Sequence, residues 1–201
     1  MMPNQGVPCL LDFVRQVHDL VTLPGQTEAM LLPAATRLLT QLIATDAWLP
    51  DDCARPHPVR YQQYLLYGDP LDRFSVVSFV WAPGQATPIH DHTVWGLVGV
   101  LRGAEYNVSY RLDSGRLVPN PVIERYEAGE VAVVSPTIGD IHQVRNAHPD
   151  KTSVSIHLYG GNIGRIRRHV FDPLTGTEKT FVSGYANVTV PNLWRAEPTD
   201  L

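Results

Sequence analysis

Near residue 60 the hydrophobic pattern of this chain changes period, and that switch limits the fold more than any other feature. Before it, apolar residues recur at three- and four-residue steps. Leu10, Phe13, Val14, Val17, Leu20 and Val21 share one helical face, and Pro24 with Gly25 ends the segment. A second helical pattern runs from about Thr27 to Thr45, with Leu38, Leu39, Leu42 and Ile43 on its face. Pro33 is expected near its first turn, and Pro50 marks its end. After residue 60 come short β-branched and aromatic runs punctuated by turn residues: YQQYLLY, FSVVSFVW, WGLVGVL, EYNVSYRL, EVAVVS, SVSIHLY and KTFVS. The pattern predicts a helical region over residues 1–50 and an all-β core over about 60–190, built as a sandwich or barrel. A length of 201 residues fits one domain, and 17 Pro and 15 Gly suit its many turns.

Charge and targeting signals narrow the partners. Sixteen Lys and Arg against 20 Asp and Glu leave a net charge of −4, which argues against nucleic acid or an anionic membrane as the main partner. No apolar run is long enough to span a bilayer. The amino-terminal stretch lacks a basic n-region and its apolar part is broken by Asp12, so a cytoplasmic location is expected. Cys9 and Cys53 cannot build a disulfide framework and read as ordinary thiols of a reducing compartment.

Eight histidines are more than such a chain needs, and spacing sorts them. His90 and His92 lie in PIHDHTVWG; in a strand, alternate side chains share a face, so both imidazoles would point one way and Asp91 the other. Around them Gly84, His90, His92, Gly96 and Gly103 fall at intervals that resemble the first cupin motif. Gly129, Pro136, Gly139, His142 and Asn146 resemble the second. This resemblance implies a jelly-roll-like cupin barrel that brings His142 beside His90 and His92. Most metal cupins carry a Glu where Gly96 stands here, so the expected ligand set is three neutral imidazoles with open coordination positions. Facial-triad iron sites use that arrangement, and so does catalytic zinc.

In SVSIHLY, period two puts Ser155, His157 and Tyr159 on one face and Val154, Ile156 and Leu158 on the other. The polar row can form a hydrogen-bonded chain, because histidine donates through one ring nitrogen and accepts through the other. Serine hydrolysis is disfavoured, since no G-x-S-x-G elbow exposes Ser155.

Three histidines followed by Ser-x-His-x-Tyr resemble the thiol dioxygenases, the family of cysteine dioxygenase and 3-mercaptopropionate dioxygenase, from about Arg60 to Tyr159. The resemblance implies non-haem Fe(II) held by His90, His92 and His142, an outer triad of Ser155, His157 and Tyr159, and O₂ insertion at a thiol sulfur to give a sulfinate. Two departures bear on substrate. Gly96 stands where the mammalian-type branch has a cysteine joined to the tyrosine, so Tyr159 is expected unmodified. Gln63 stands where that branch has a carboxylate-binding arginine. Gln63 instead resembles the bacterial 3-mercaptopropionate branch, which implies Arg168 in GRIRRHVFD as the carboxylate anchor, with Gln63 as a further donor and Arg165 and Arg167 as alternatives. The expected reaction turns 3-mercaptopropionate into 3-sulfinopropionate. L-Cysteine is the next candidate, a non-catalytic metal-binding cupin or a zinc or nickel enzyme the competing class. His18, His57, His148 and His169 lack ligand spacing and read as surface or locally bonded groups.

Overall fold

A computed structural model of the chain describes residues 6–194. Two helices lead, α1 (Gly6–Thr22) and α2 (Glu28–Leu42). Leu10, Phe13, Val14 and Val17 of α1 are buried, as are Leu31, Ala35, Leu39 and Leu42 of α2, each set on one face. The Thr27 carbonyl takes the first N–H groups of α2, those of Met30 and Leu31. Pro33 therefore lies in the second turn and not near the first. It is tolerated because it lies on the exposed side of the helix. The indole of Trp48 donates to the Leu42 and Thr45 carbonyls at 2.9 Å each, satisfying acceptors that the helix end leaves open.

Twelve strands follow: β1 (Gln62–Gly68), β2 (Ser75–Trp81), β3 (Ile89–His90), β4 (Gly96–Arg102), β5 (Ala104–Asp113), β6 (Arg116–Pro119), β7 (Glu124–Glu127), β8 (Val131–Val134), β9 (His142–Asn146), β10 (Ser153–Tyr159), β11 (Arg168–Phe171) and β12 (Glu178–Phe181). One sheet runs β1-β2-β10-β4-β8; the other runs β12-β11-β3-β9-β5, with β6 and β7 both paired to β5. Two antiparallel sheets with their strands interleaved in this way form the expected jelly-roll barrel of a cupin. The seven apolar runs correspond to β1, β2, β4, β5, β8, β10 and β12. The strands outside those runs are short and several carry charges, as in Glu124–Glu127 and Arg168–Phe171, so little alternation marks them.

Both helices cover the outer face of the first sheet. Leu10, Val17 and Leu39 share a cluster with Val76, Val80, Leu97, Val154, Ile156 and Leu158. Burying each large side chain there stabilises the fold by about 1.5–3 kcal/mol. α2 sits close to β4 because position 99 has no side chain: a Cβ on Gly99 would lie 3.0–3.1 Å from Ile43 and Leu39. No helix among the described residues is long and apolar enough to cross a membrane.

Candidate metal centre

The inner face of the barrel brings the three predicted ligands together. His90 on β3 pairs directly with His142 on β9, and their rings lie 4.8 Å apart. His92 completes the set with its ring 4.9 Å from each of the others. One ligand atom from each residue lies within 4.8 Å of the others, and all three side chains are buried. His90 and His92 do not share a strand, however, because β3 ends at His90. The backbone takes a left-handed conformation at Thr93, and the Asp140 carboxylate accepts the N–H groups of His92 and Thr93 at 3.0 Å each. A carboxylate clamp on the turn, and not the pleat of a strand, aims the second imidazole.

Hydrogen bonds also orient the rings. His90 Nδ1 donates to the Pro88 carbonyl at 3.1 Å, and His142 Nδ1 donates to Asn107 Oδ1 at 2.6 Å. The Asn107 amide is turned that way because its nitrogen donates to Glu124 Oε2 at 2.8 Å. Both rings thereby keep the proton on Nδ1 and leave the Nε2 lone pair to face the centre. His92 Nδ1 is buried without a partner among the described residues. Burial, then the Arg168 charge, pushes His90 down to about 4. Burial, then the neighbouring histidines, pushes His92 and His142 well below the usual histidine range. Three neutral, converging, buried nitrogen donors suit a divalent metal ion, which would supply the positive partner that the lone pairs lack.

Beside them runs the predicted row on β10. Ser155 Oγ lies 2.8 Å from His157 Nε2, and His157 Nδ1 lies 2.7 Å from the Tyr159 hydroxyl. Trp81 Nε1 donates to Ser155 Oγ at 3.2 Å, and Phe79 stacks on His157 at 4.0 Å. Burial holds His157 neutral by pushing it down to about 3. Burial raises the Tyr159 phenol, with the Arg168 charge opposing, so it keeps its proton. The Tyr159 ring stacks on His92 at 5.4 Å, which ties the row to the ligand set. Gly96 is its cross-strand partner, and a Cβ there would come within 2.7 Å of the Tyr159 ring. Glycine at this position is what lets the ring lie where it does.

Of the three candidate arginines, Arg165 and Arg167 are exposed, and Arg165 pairs with Asp72 at 3.5 Å. Arg168, on β11, is 3% exposed. Its guanidinium lies 4.7 Å over the Phe181 ring and donates from Nη2 to Ser183 Oγ at 2.7 Å, while its Nε is buried without a partner among the described residues. Its strand pairs with β3, Val170 opposite His90, which places Arg168 on the strand next to the ligand set, and its charge lowers the pKa of His90, His92 and His157. Gln63 donates to the same Ser183 Oγ and to the Gly184 carbonyl, at 3.0 Å each. Both amide hydrogens of Gln63 are thus engaged by the segment after β12. A cleft of about 440 Å³ lined by Tyr61, Gln63, Ser183 and Tyr185 runs along this contact.

Several site residues escaped the reading of the sequence. Asn107, Asp140 and Glu124 sit between 17 and 48 positions from the groups they hold, and no spacing rule links them. The one available signal was Asn107 itself, a polar residue disfavoured inside a strand. His169 bonds Asp91 at 2.7 Å, and that carboxylate raises its pKa, in keeping with the local role expected of it.

Three inward imidazoles within a double-sheet barrel define the class as a cupin with a metal centre. Residues 54–172, more than half of the chain, match the family described as cysteine dioxygenase type I. The chain belongs to that family, and is thereby a dioxygenase of the cysteine dioxygenase type. Among solved structures it is similar to a protein with a double-stranded β-helix domain from Klebsiella pneumoniae, at 20% identity over 56% of this chain and 87% of that one, with a TM-score of 0.45. A protein from Thermus thermophilus matches at 18% identity over 55% and 92% of the two chains, TM-score 0.42. A cupin superfamily protein from Desulfitobacterium hafniense matches at 14% identity over 62% and 88%, TM-score 0.41.

Proposed function

We propose that this protein is a non-haem Fe(II) thiol dioxygenase that converts 3-mercaptopropionate and O₂ into 3-sulfinopropionate, akin to the bacterial 3-mercaptopropionate branch of its family. The observation that carries the substrate reading is Arg168, a buried guanidinium beside three neutral imidazoles with an Nε that no acceptor among the described residues satisfies. A buried cation of this kind wants an anion, and its planar fork matches a carboxylate. His90, His92 and His142 are the residues that would hold the metal. Bound there, Fe(II) supplies the charge that favours a thiolate and the redox chemistry that zinc lacks.

The protein's own groups do the rest. Arg168 anchors the carboxylate and so sets where the sulfur falls. Gln63 acts through Ser183, which it and Arg168 share, and thereby steadies the anchor. The row of Ser155, His157 and Tyr159 holds a proton at the phenol oxygen, at the edge of the ligand set. Burial of the whole group keeps bulk water from competing.

The family description favours L-cysteine as the second reading. Oxygen uptake by Fe(II)-loaded enzyme over a panel of thiols decides between them. The expected result is a higher kcat/KM for 3-mercaptopropionate than for L-cysteine; the reverse order installs the second reading, and no uptake with any thiol acid sinks both.

A further inference from the structure

β3 carries His90 and is only two residues long. Its ladder with β11 has two rungs, Val170 opposite His90 and Phe171 opposite Ile89, and its ladder with β9 has one. So short a ladder has few bonds with which to resist a slip. Asp91, the next residue, extends it. Its amide donates to the His169 carbonyl at 3.1 Å, and its carboxylate accepts twice from that same residue: Oδ1 from the His169 amide and Oδ2 from the His169 ring Nδ1, both at 2.7 Å. A carboxylate holding two donors of one residue is fixed in orientation as well as in distance. Past Asp91 the chain enters the turn that Asp140 clamps, and no hydrogen bond among the described residues joins that turn to β11.

The neighbours of the two clasped residues give the contact its meaning. Asp91 lies between His90 and His92, two of the three ligand histidines, and His169 follows Arg168, the carboxylate anchor. The clasp thus joins the stretch of chain that would hold the metal to the stretch that would hold the carboxylate. Arg168 is tied in turn to Ser183 and lies over Phe181, its partner across β11 and β12, so a shift of β11 carries the guanidinium with it. A thiol acid held by its sulfur at one point and its carboxylate at the other must span their separation. A separation fixed by directed bonds suits one chain length and disfavours acids shorter or longer by a methylene.

We propose that Asp91 is a positioning residue that sets chain-length specificity: by clasping His169 it locks the separation between the ligand set and Arg168 at the span of a thiol acid with two methylenes between sulfur and carboxylate. The proposal rests on the dioxygenase reading above and deepens it.

Anaerobic calorimetry on the Fe(II)-loaded protein gives Kd for mercaptoacetate, 3-mercaptopropionate and 4-mercaptobutyrate, which differ by single methylenes, and oxygen uptake gives kcat/KM for the same three. Wild type is expected to prefer the middle acid by both measures; any other order overturns the proposal without a variant. Asp91→Ala removes both carboxylate bonds and should shrink the preference about tenfold, chiefly by weakening 3-mercaptopropionate, with iron content unchanged. His169→Ala removes only the ring bond, from a side chain that is partly exposed, and should shrink it about threefold. A merely structural Asp91 would weaken all three acids by one common factor and leave their ratios as in wild type, and that result overturns the proposal. If D91A fails to fold or loses iron, H169A decides, and an unshifted ratio there overturns the proposal likewise. A wild type that neither binds nor oxygenates any of the three sinks the dioxygenase reading and the proposal with it. A selective wild type beside equally selective variants sinks the proposal alone.

Discussion

β2 and β10 lie side by side at the middle of one sheet and show two different faces. Outward, Val76, Val80, Val154, Ile156 and Leu158 meet the helices in an apolar cluster, and the one polar group among them, Ser78, donates to the Cys53 carbonyl at 2.8 Å. Inward, Phe79, Trp81, Ser155, His157 and Tyr159 are bound to one another by ring stacking and directed hydrogen bonds. Both faces are buried, and β10 has no exposed residue. The outward face needs volume and shape, so a one-methylene change there alters stability and little else. The inward face needs each donor to meet its acceptor, and a polar group deprived of its partner loses function as well as stability.

Three substitutions press on that contrast, taken from the largest expected effect. Arg168→Ala removes the inward cation; kcat/KM for 3-mercaptopropionate should fall about a hundredfold or more, mainly through KM, as expected for losing charge-assisted hydrogen bonds worth about 3 kcal/mol. Metal content should not change, and Arg168→Lys should recover little because a lysine lacks the planar fork. Unaltered KM in R168A would remove Arg168 from the substrate site. Tyr159→Phe keeps the ring on His92 but deletes the end of the proton chain, so turnover should drop by about tenfold to a hundredfold with metal retained. Metal loss in that variant, seen by elemental analysis, would instead make the hydroxyl a support of the ligand set. The smallest effect belongs to the outward face. Ile156→Val, one residue from His157, should lower unfolding stability by about 1 kcal/mol in urea titration and leave the kinetics alone. Altered kinetics would mean that the two faces of β10 are coupled.

Much of this contrast was legible in the chain. Alternation in SVSIHLY assigned each residue of β10 to its face, because successive side chains in a strand must point in opposite directions. The glycine and histidine spacings likewise picked out the ligand set. His92 is instructive for a different reason: its expected direction holds, but the turn that aims it depends on Asp140, far along the chain. The family resemblance ranked Arg168 ahead of Arg165 and Arg167, but no local spacing sets the three apart. Only its place on β11, between β12 and β3, buries it while the other two stay in water.

The sequence by itself determined the period switch, the polar and apolar faces of β10 and the histidines available as ligands. Those follow from local stereochemistry, which acts within a few residues. Tertiary structure alone decided that His142 lies against His90, that Asn107 turns the His142 ring, and that Glu105 comes to rest beside Ser153. These contacts depend on which strands become neighbours. That order is set by the packing of the whole barrel, and the residues it joins carry no local mark of one another.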